Sequence, residues 1–143
     1  MISTVERVLF LKRVELFAQI PGQELARVAK VAEELEIRAG AELMREGDMG
    51  DSLYLLLSGE VEVRRGDRQV VKLGPPECVG ELALLDSEPR SATVRATEPT
   101  RVLKLERDAF YELMNDHLEI TQGVIKVLTH RLRQTTAQSD LPG

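Results

Sequence analysis

The spacing of apolar residues changes period twice along this chain. Up to about residue 34 it is helix-like. Val5, Val8, Leu9 and Leu16 share one helical face on which Lys12 is the sole charged position, with Leu11 and Val14 off that face. Pro21-Gly22 interrupts the pattern, and Leu25, Val28, Ala29 and Ala32 then mark a second helix ending near Glu34. From Leu35 to about Glu106 short apolar runs alternate with glycine-bearing turns at Gly40, Gly47, Gly59, Gly66 and Gly74. Ser52 to Leu57, Glu60 to Val63, Gln69 to Leu73, Ala92 to Ala96 and Arg101 to Leu105 read as strands. Many short strands broken by turns predict a barrel or a jelly-roll-like sandwich. Helical spacing then returns. Asp108 is placed to cap a helix starting at Ala109, with Phe110, Leu113 and Met114 on its apolar face. A last helix runs from Leu118 to about Thr136, with Ile125, Leu128 and Leu132 as its stripe. Gly123 lies inside it and marks a bend or hinge. Residues 138–143 read as a frayed tail.

Composition narrows the function classes. The 143 residues favour one domain, 1–143, with a single core. A net charge of −5, from 19 Lys+Arg against 24 Asp+Glu, argues against broad binding to nucleic acid or to anionic lipid. No apolar run reaches the ~20 residues that span a bilayer, so no membrane insertion is expected. The N-terminus interleaves charges with apolar residues, unlike a signal peptide. The lone Cys78 allows no intrachain disulfide, fits a reducing, cytoplasmic setting, and reads as a packing residue. His117 and His130 lie far from Cys78 in sequence, and no catalytic spacing is present. The strands carry no His-x-His pair, which argues against a metal-dependent cupin. No enzyme, metal or cofactor is expected.

The richest chemistry lies between Val79 and Thr93. Glu81 follows Gly80, and Arg90 precedes Ser91 and Ala92, with the apolar turn Leu82 to Leu85 between them. A guanidinium can pair two phosphate oxygens. Small residues let backbone N–H groups approach the same oxygens. A carboxylate can accept hydrogen bonds from ribose hydroxyls. The set suits a small ligand with both an anion and a sugar. Arg90 has a competing reading as a structural ion pair with Glu81 or Asp86, and Glu81 as an anion at a helix N-terminus.

GELAL, then LDSEP, then RSATVRA resembles the phosphate-binding cassette of the cyclic-nucleotide-binding domain family. Val79 departs from it where many members carry Phe or Tyr. LMREGDMGDSLYLLLSG, residues 43–59, resembles a second family signature through Gly47-Asp48, Gly50 and Gly59, with Met44 a slight departure. The resemblance implies an α+β fold: N-terminal helices at 1–34, an eight-stranded antiparallel β-roll at 35–106 holding the cassette at 79–93, and two C-terminal lid helices at 108–136. It implies a non-catalytic sensor that binds a cyclic nucleotide, with cAMP as the preferred ligand and cGMP as the alternative. Arg90 would take the cyclic phosphate and Glu81 the ribose 2′-hydroxyl. Gly80, Leu82, Ala83 and Ala92 would give backbone and wall contacts. Ser91 would donate to phosphate, contact a guanine amino group, or simply fit beside the ligand. Thr135 and Thr136, in RLRQTT, resemble the adenine-contacting hydroxyl pair on the last helix of some members. They read equally well as solvated hydroxyls, and Arg131 or Arg133 could stack over the base instead. Signalling would run through movement of the last helices. Homodimerisation through the final helix and an effector domain are the implied partners. A nucleotide-independent interaction domain, or a regulatory module of a larger protein such as a membrane transporter, is the alternative.

Overall fold

Ser3 starts the first helix. Its Oγ accepts the Glu6 N–H at 3.2 Å while the Glu6 carboxylate accepts the Ser3 N–H at 3.1 Å, a reciprocal cap for α1, Thr4–Leu11. The computed structural model describes residues 1–138, so most of the tail read as frayed lies outside the described residues. α1 is shorter than the apolar spacing predicts. The chain turns after Leu11, makes a one-turn 3-10 helix at Glu15–Phe17, and resumes as α2, Gly22–Val31. This turn inverts the expected face. Val5 and Leu9 are exposed, whereas Leu11 and Val14, off the predicted stripe, are buried with Leu16, Phe17 and Ile20.

α2 also stops short of Glu34. Arg7 donates through Nη1 to the carbonyls of Ala29 at 3.0 Å and Ala32 at 2.8 Å, satisfying acceptors at the helix end. Ala32 is already extended, and Glu33–Ile37 forms β1.

Among the described residues eight strands make two four-stranded antiparallel sheets. With β2 at Glu42–Met44, β3 at Ser52–Ser58, β4 at Val61–Arg65, β5 at Arg68–Leu73, β6 at Cys78–Val79, β7 at Thr93–Ala96 and β8 at Thr100–Glu106, the orders are β1-β8-β3-β6 and β2-β7-β4-β5. β3 and β8 are the central pair of the first sheet and bury both faces. Leu53, Leu55, Leu103 and Leu105 point to the helices, joining Phe17 and Phe110 in one apolar cluster. Leu56 and Val102 point between the sheets, to Val61, Val94 and Ala96. Two buried faces explain why SLYLLLS reads as a nearly continuous apolar run rather than an alternation.

α3, Arg107–Asp116, follows β8 directly. Its N-cap is Glu106, with no side-chain cap, so the expected Asp108 cap is replaced by an acidic residue in the first turn. Phe110 packs on Phe17 with ring centroids 5.3 Å apart. α4 runs from Leu118 to Gln138. Its buried side is Ile120, Val124 and Val127, and the stripe Ile125, Leu128 and Leu132 faces outward. Apolar residues occupy two sides of this helix, and periodicity alone picked the wrong one. The helix is continuous through Gly123. A Cβ there would lie 2.9 Å from the Gln19 carbonyl oxygen, so glycine lets α4 cross close over the backbone that follows the 3-10 turn. Among the described residues no helix is long and apolar enough to cross a membrane.

Candidate functional site

The site is a loop wrapped around one guanidinium. β6 leads into Gly80, whose φ of 78° lies in the left-handed region that favours glycine. A one-turn 3-10 helix follows at Glu81–Leu84, anchored by buried Leu84, with Leu82 exposed on its outer side. The returning segment is stitched to the loop before β3. Arg90 N–H donates to Asp48 O at 2.7 Å, Gly47 N–H to Arg90 O at 2.9 Å, and Gly50 N–H to Glu88 O at 2.9 Å. Ser87 Oγ adds a bond to Gly50 O at 3.0 Å.

These bonds aim the Arg90 side chain inward. Its Nη2 donates to Ser52 O at 2.9 Å. The rest of the fork lies across two glycines. A Cβ on Gly50 would stand 2.8 Å from Nε, and one on Gly80 would stand 2.5 Å from Nη1. Both glycines are thus cleared for this guanidinium. Among the described residues no carboxylate forms an ion pair with it, so the predicted alternatives, pairs with Glu81 or Asp86, do not form. Burial presses the Arg90 pKa below its ordinary value, partly offset by Tyr54 and Asp51.

Glu81 has another partner. Arg131 of α4 donates through Nη2 to Glu81 Oε1 at 2.5 Å and through Nε to Glu15 Oε1 at 2.7 Å. One guanidinium therefore joins the cassette, the last helix and the first 3-10 turn. These bonds to Glu15 and Glu81 raise the Arg131 pKa, and the bond from Arg131 lowers that of Glu15. Cys78 Sγ sits 3.9 Å from Glu81 Oε2, and burial, helped by Glu81 and Glu77, pushes the thiol up to about 12.

An open cavity of about 870 Å³ lies over this loop. Gly80, Glu81, Leu82, Ala83, Arg90, Ser91 and Ala92, all expected from sequence, line it together. Val63, Val71 and Leu73 of the β4–β5 hairpin form its apolar wall, with Arg65 beside them. Thr135 and Thr136 are not brought to it. Their hydroxyls donate to the Arg131 and Leu132 carbonyls one turn back along α4, at 3.1 and 3.0 Å. Sequence reasoning had Arg131 as a base-stacking candidate and missed its pairing with Glu81 and Glu15. Nothing in linear spacing links positions 15, 81 and 131. Among the described residues no cluster of His, Cys, Asp and Glu is arranged to hold a metal ion.

A family model for the cyclic nucleotide-binding domain matches residues 34–117, more than half of the chain. The chain belongs to that family. A cAMP-dependent protein kinase regulatory subunit of Emericella nidulans is 41% identical over 130 residues, 90% of this chain and 31% of its own length. A CRP-like cAMP-activated global transcriptional regulator of Mycobacterium tuberculosis is 28% identical over 93% of this chain and 64% of its own length. The chain thus spans less than two thirds of either relative. In structure it is similar to the N-terminal domain of a transcriptional regulator from Streptomyces coelicolor A3(2). The TM-score is 0.84, with 30% identity over 91% of this chain and 94% of that one. Its cyclic nucleotide-binding fold is the jelly-roll-like β-roll with helices at either end.

Proposed function

We propose that this chain is a single, non-catalytic sensor domain that binds cAMP through Arg90 and Glu81. The observation that carries the reading is a half-buried guanidinium fitted over Gly50 and Gly80, with no carboxylate among the described residues paired to it, in one cavity with the Glu81 carboxylate. A cation held in this way is completed by an anion from outside the chain. The cyclic phosphate pairs with Arg90 and with N–H groups of the cassette backbone, Ser91 adds its hydroxyl, and the ribose 2′-hydroxyl donates to Glu81. The hairpin wall of Val63, Val71 and Leu73 gives the base an apolar surface. The names of the relatives support cAMP over cGMP.

Signalling is proposed to run through α3 and α4. Tyr111 of α3 donates its hydroxyl to the Leu85 carbonyl at the end of the cassette turn, and Arg131 of α4 holds Glu81. A cassette that closes on ligand therefore pulls on both helices, and the ligand shifts their arrangement by its differential affinity. Such a shift is also what would carry Thr135 and Thr136 to the base. The exposed residues Leu118, Ile125 and Leu132 recur every seven positions on α4 and support a second partner, another copy of the same helix. Sedimentation of Leu132→Glu against the unaltered chain tests that pairing.

The deciding experiment is calorimetric titration of the chain with cAMP and with cGMP. Micromolar or tighter binding of cAMP, weaker binding of cGMP and loss of both in Arg90→Ala are expected. A folded protein that binds neither nucleotide would leave the interaction-domain reading in its place.

A further inference from the structure

We infer that Glu15, which lies outside the ligand cavity, is a positioning residue for nucleotide binding, acting through Arg131 on Glu81. The inference rests on the cyclic-nucleotide reading of the cassette and adds a residue that touches no ligand. Glu15 belongs to the 3-10 turn between α1 and α2, and the cavity over the cassette is lined without it.

The argument begins with the fork of Arg131. Its Nε and Nη2 serve different carboxylates, Glu15 at 2.7 Å and Glu81 at 2.5 Å, so one rigid plane holds both at once. Arg131 is a long side chain about two turns before the end of a 21-residue helix. With one carboxylate alone its guanidinium can swing about that contact, and the second fixes the plane. Glu81 needs that support. Its side chain is only 18% exposed, and the neighbour on its other oxygen is the Cys78 thiol, a weak donor. Arg131 engages only Oε1. Oε2 keeps lone pairs for a ribose hydroxyl, so the ion pair and the sugar contact are compatible. The place of Glu15 is itself fixed, because α4 crosses close over the Gln19 backbone at Gly123 and Leu16 and Phe17 are buried beside it.

The test is a thermodynamic cycle read with two ligands. Affinities for cAMP and for 2′-deoxy-cAMP are measured by calorimetry on the full chain as wild type, Glu15→Gln, Arg131→Gln and the double variant. Glu15 is 61% exposed and its substitution leaves the core untouched, which a thermal melt verifies. Glu15→Gln weakens cAMP binding by about threefold to fivefold, the range for a half-exposed charge pair. That loss disappears in the Arg131→Gln background, because the two residues act as one unit. It also falls below about 1.5-fold for 2′-deoxy-cAMP, which gives Glu81 no hydroxyl. Unchanged cAMP affinity in Glu15→Gln overturns the inference, as does a loss that persists without Arg131 or is equal for both ligands. A wild-type chain that binds no cyclic nucleotide overturns the cassette reading, and the inference with it.

Discussion

Two arginines at different places on the roll show opposite ways of burying a charge. Arg101 on β8 takes its carboxylate from the chain itself, although its buried Nε has no hydrogen-bond partner among the described residues. Its Nη2 pairs with Glu34, which also accepts the Ile2 N–H at 3.1 Å and lies 3.8 Å from Arg7. Burial alone would raise the Glu34 pKa, but the Ile2 N–H and Arg101 hold it below its ordinary value. Arg90, in the cassette, has a backbone carbonyl and two glycines beneath it and no acidic partner among the described residues. The first arrangement ties β1, β8 and the N-terminus together. The second stores an unmet interaction. A guanidinium paired with a carboxylate of the chain is glue, and on the proposed reading one without such a pair is a receptor.

The strongest way to break this comparison is to remove each charge in turn. Arg90→Ala is expected to cost ~3 kcal/mol of nucleotide binding, a hundredfold or more by titration, with the melting temperature of the free protein nearly unchanged. Glu34→Gln should do the reverse. About 2 kcal/mol of stability is lost by denaturant unfolding as Arg101 is left without its partner, while cAMP affinity stays within about twofold. The sign with pH follows from the depressed Glu34 pKa. Its contribution is full above the ordinary carboxylate value and is lost as pH falls through the folded one, so the acid limb of the stability curve flattens in Glu34→Gln. A measurable loss of affinity in that variant would join the two regions and sink the distinction.

Gly80→Ala sharpens the same point at smaller scale. The added carbon is strained at φ 78° and stands 2.5 Å from the Arg90 fork. The expected result is about 1 kcal/mol less stability and roughly tenfold weaker binding, by the same two measurements. The last comparison is at Cys78. The folded thiol holds its proton up to about 12, whereas the unfolded chain releases it near its ordinary value. Its contribution is therefore full below that value and lost as pH rises from there toward 12. Comparison of the unaltered chain with Cys78→Ala between pH 7 and 10 should show the extra alkaline loss only when the thiol is present.

Most of the fold could be read from the chain, and the misreadings have physical causes. Strands β3, β4, β5, β7 and β8 were placed within a residue or two because the turns are chemically marked, whereas β1 and the short β2 and β6 were not picked out. The helices fared worse wherever tertiary contacts decide. Arg7 ends α2 from a distant helix, and α4 carries apolar residues on two sides. Residues 80–83 and 90–92, picked out in the sequence, line one cavity because one loop supplies them all. Thr135 and Thr136 read from the same resemblance do not line the cavity. Glu15 and Arg131 were invisible as a pair, since only the crossing of α4 over the N-terminal turn brings them together.

That crossing makes α4 a beam resting on a fulcrum. At 1.5 Å of rise per residue, Arg131 lies roughly 12 Å beyond Gly123 and Thr135 about 18 Å. A tilt of ~10° about the contact with Gln19 would move the arginine by about 2 Å and the threonine by about 3 Å. The first displacement is enough to part a hydrogen bond, and the second is of the order of one atomic diameter. On the proposed mechanism, the close approach that glycine allows in the second turn of α4 would set the gain with which small changes at the cassette are read out at the helix tip.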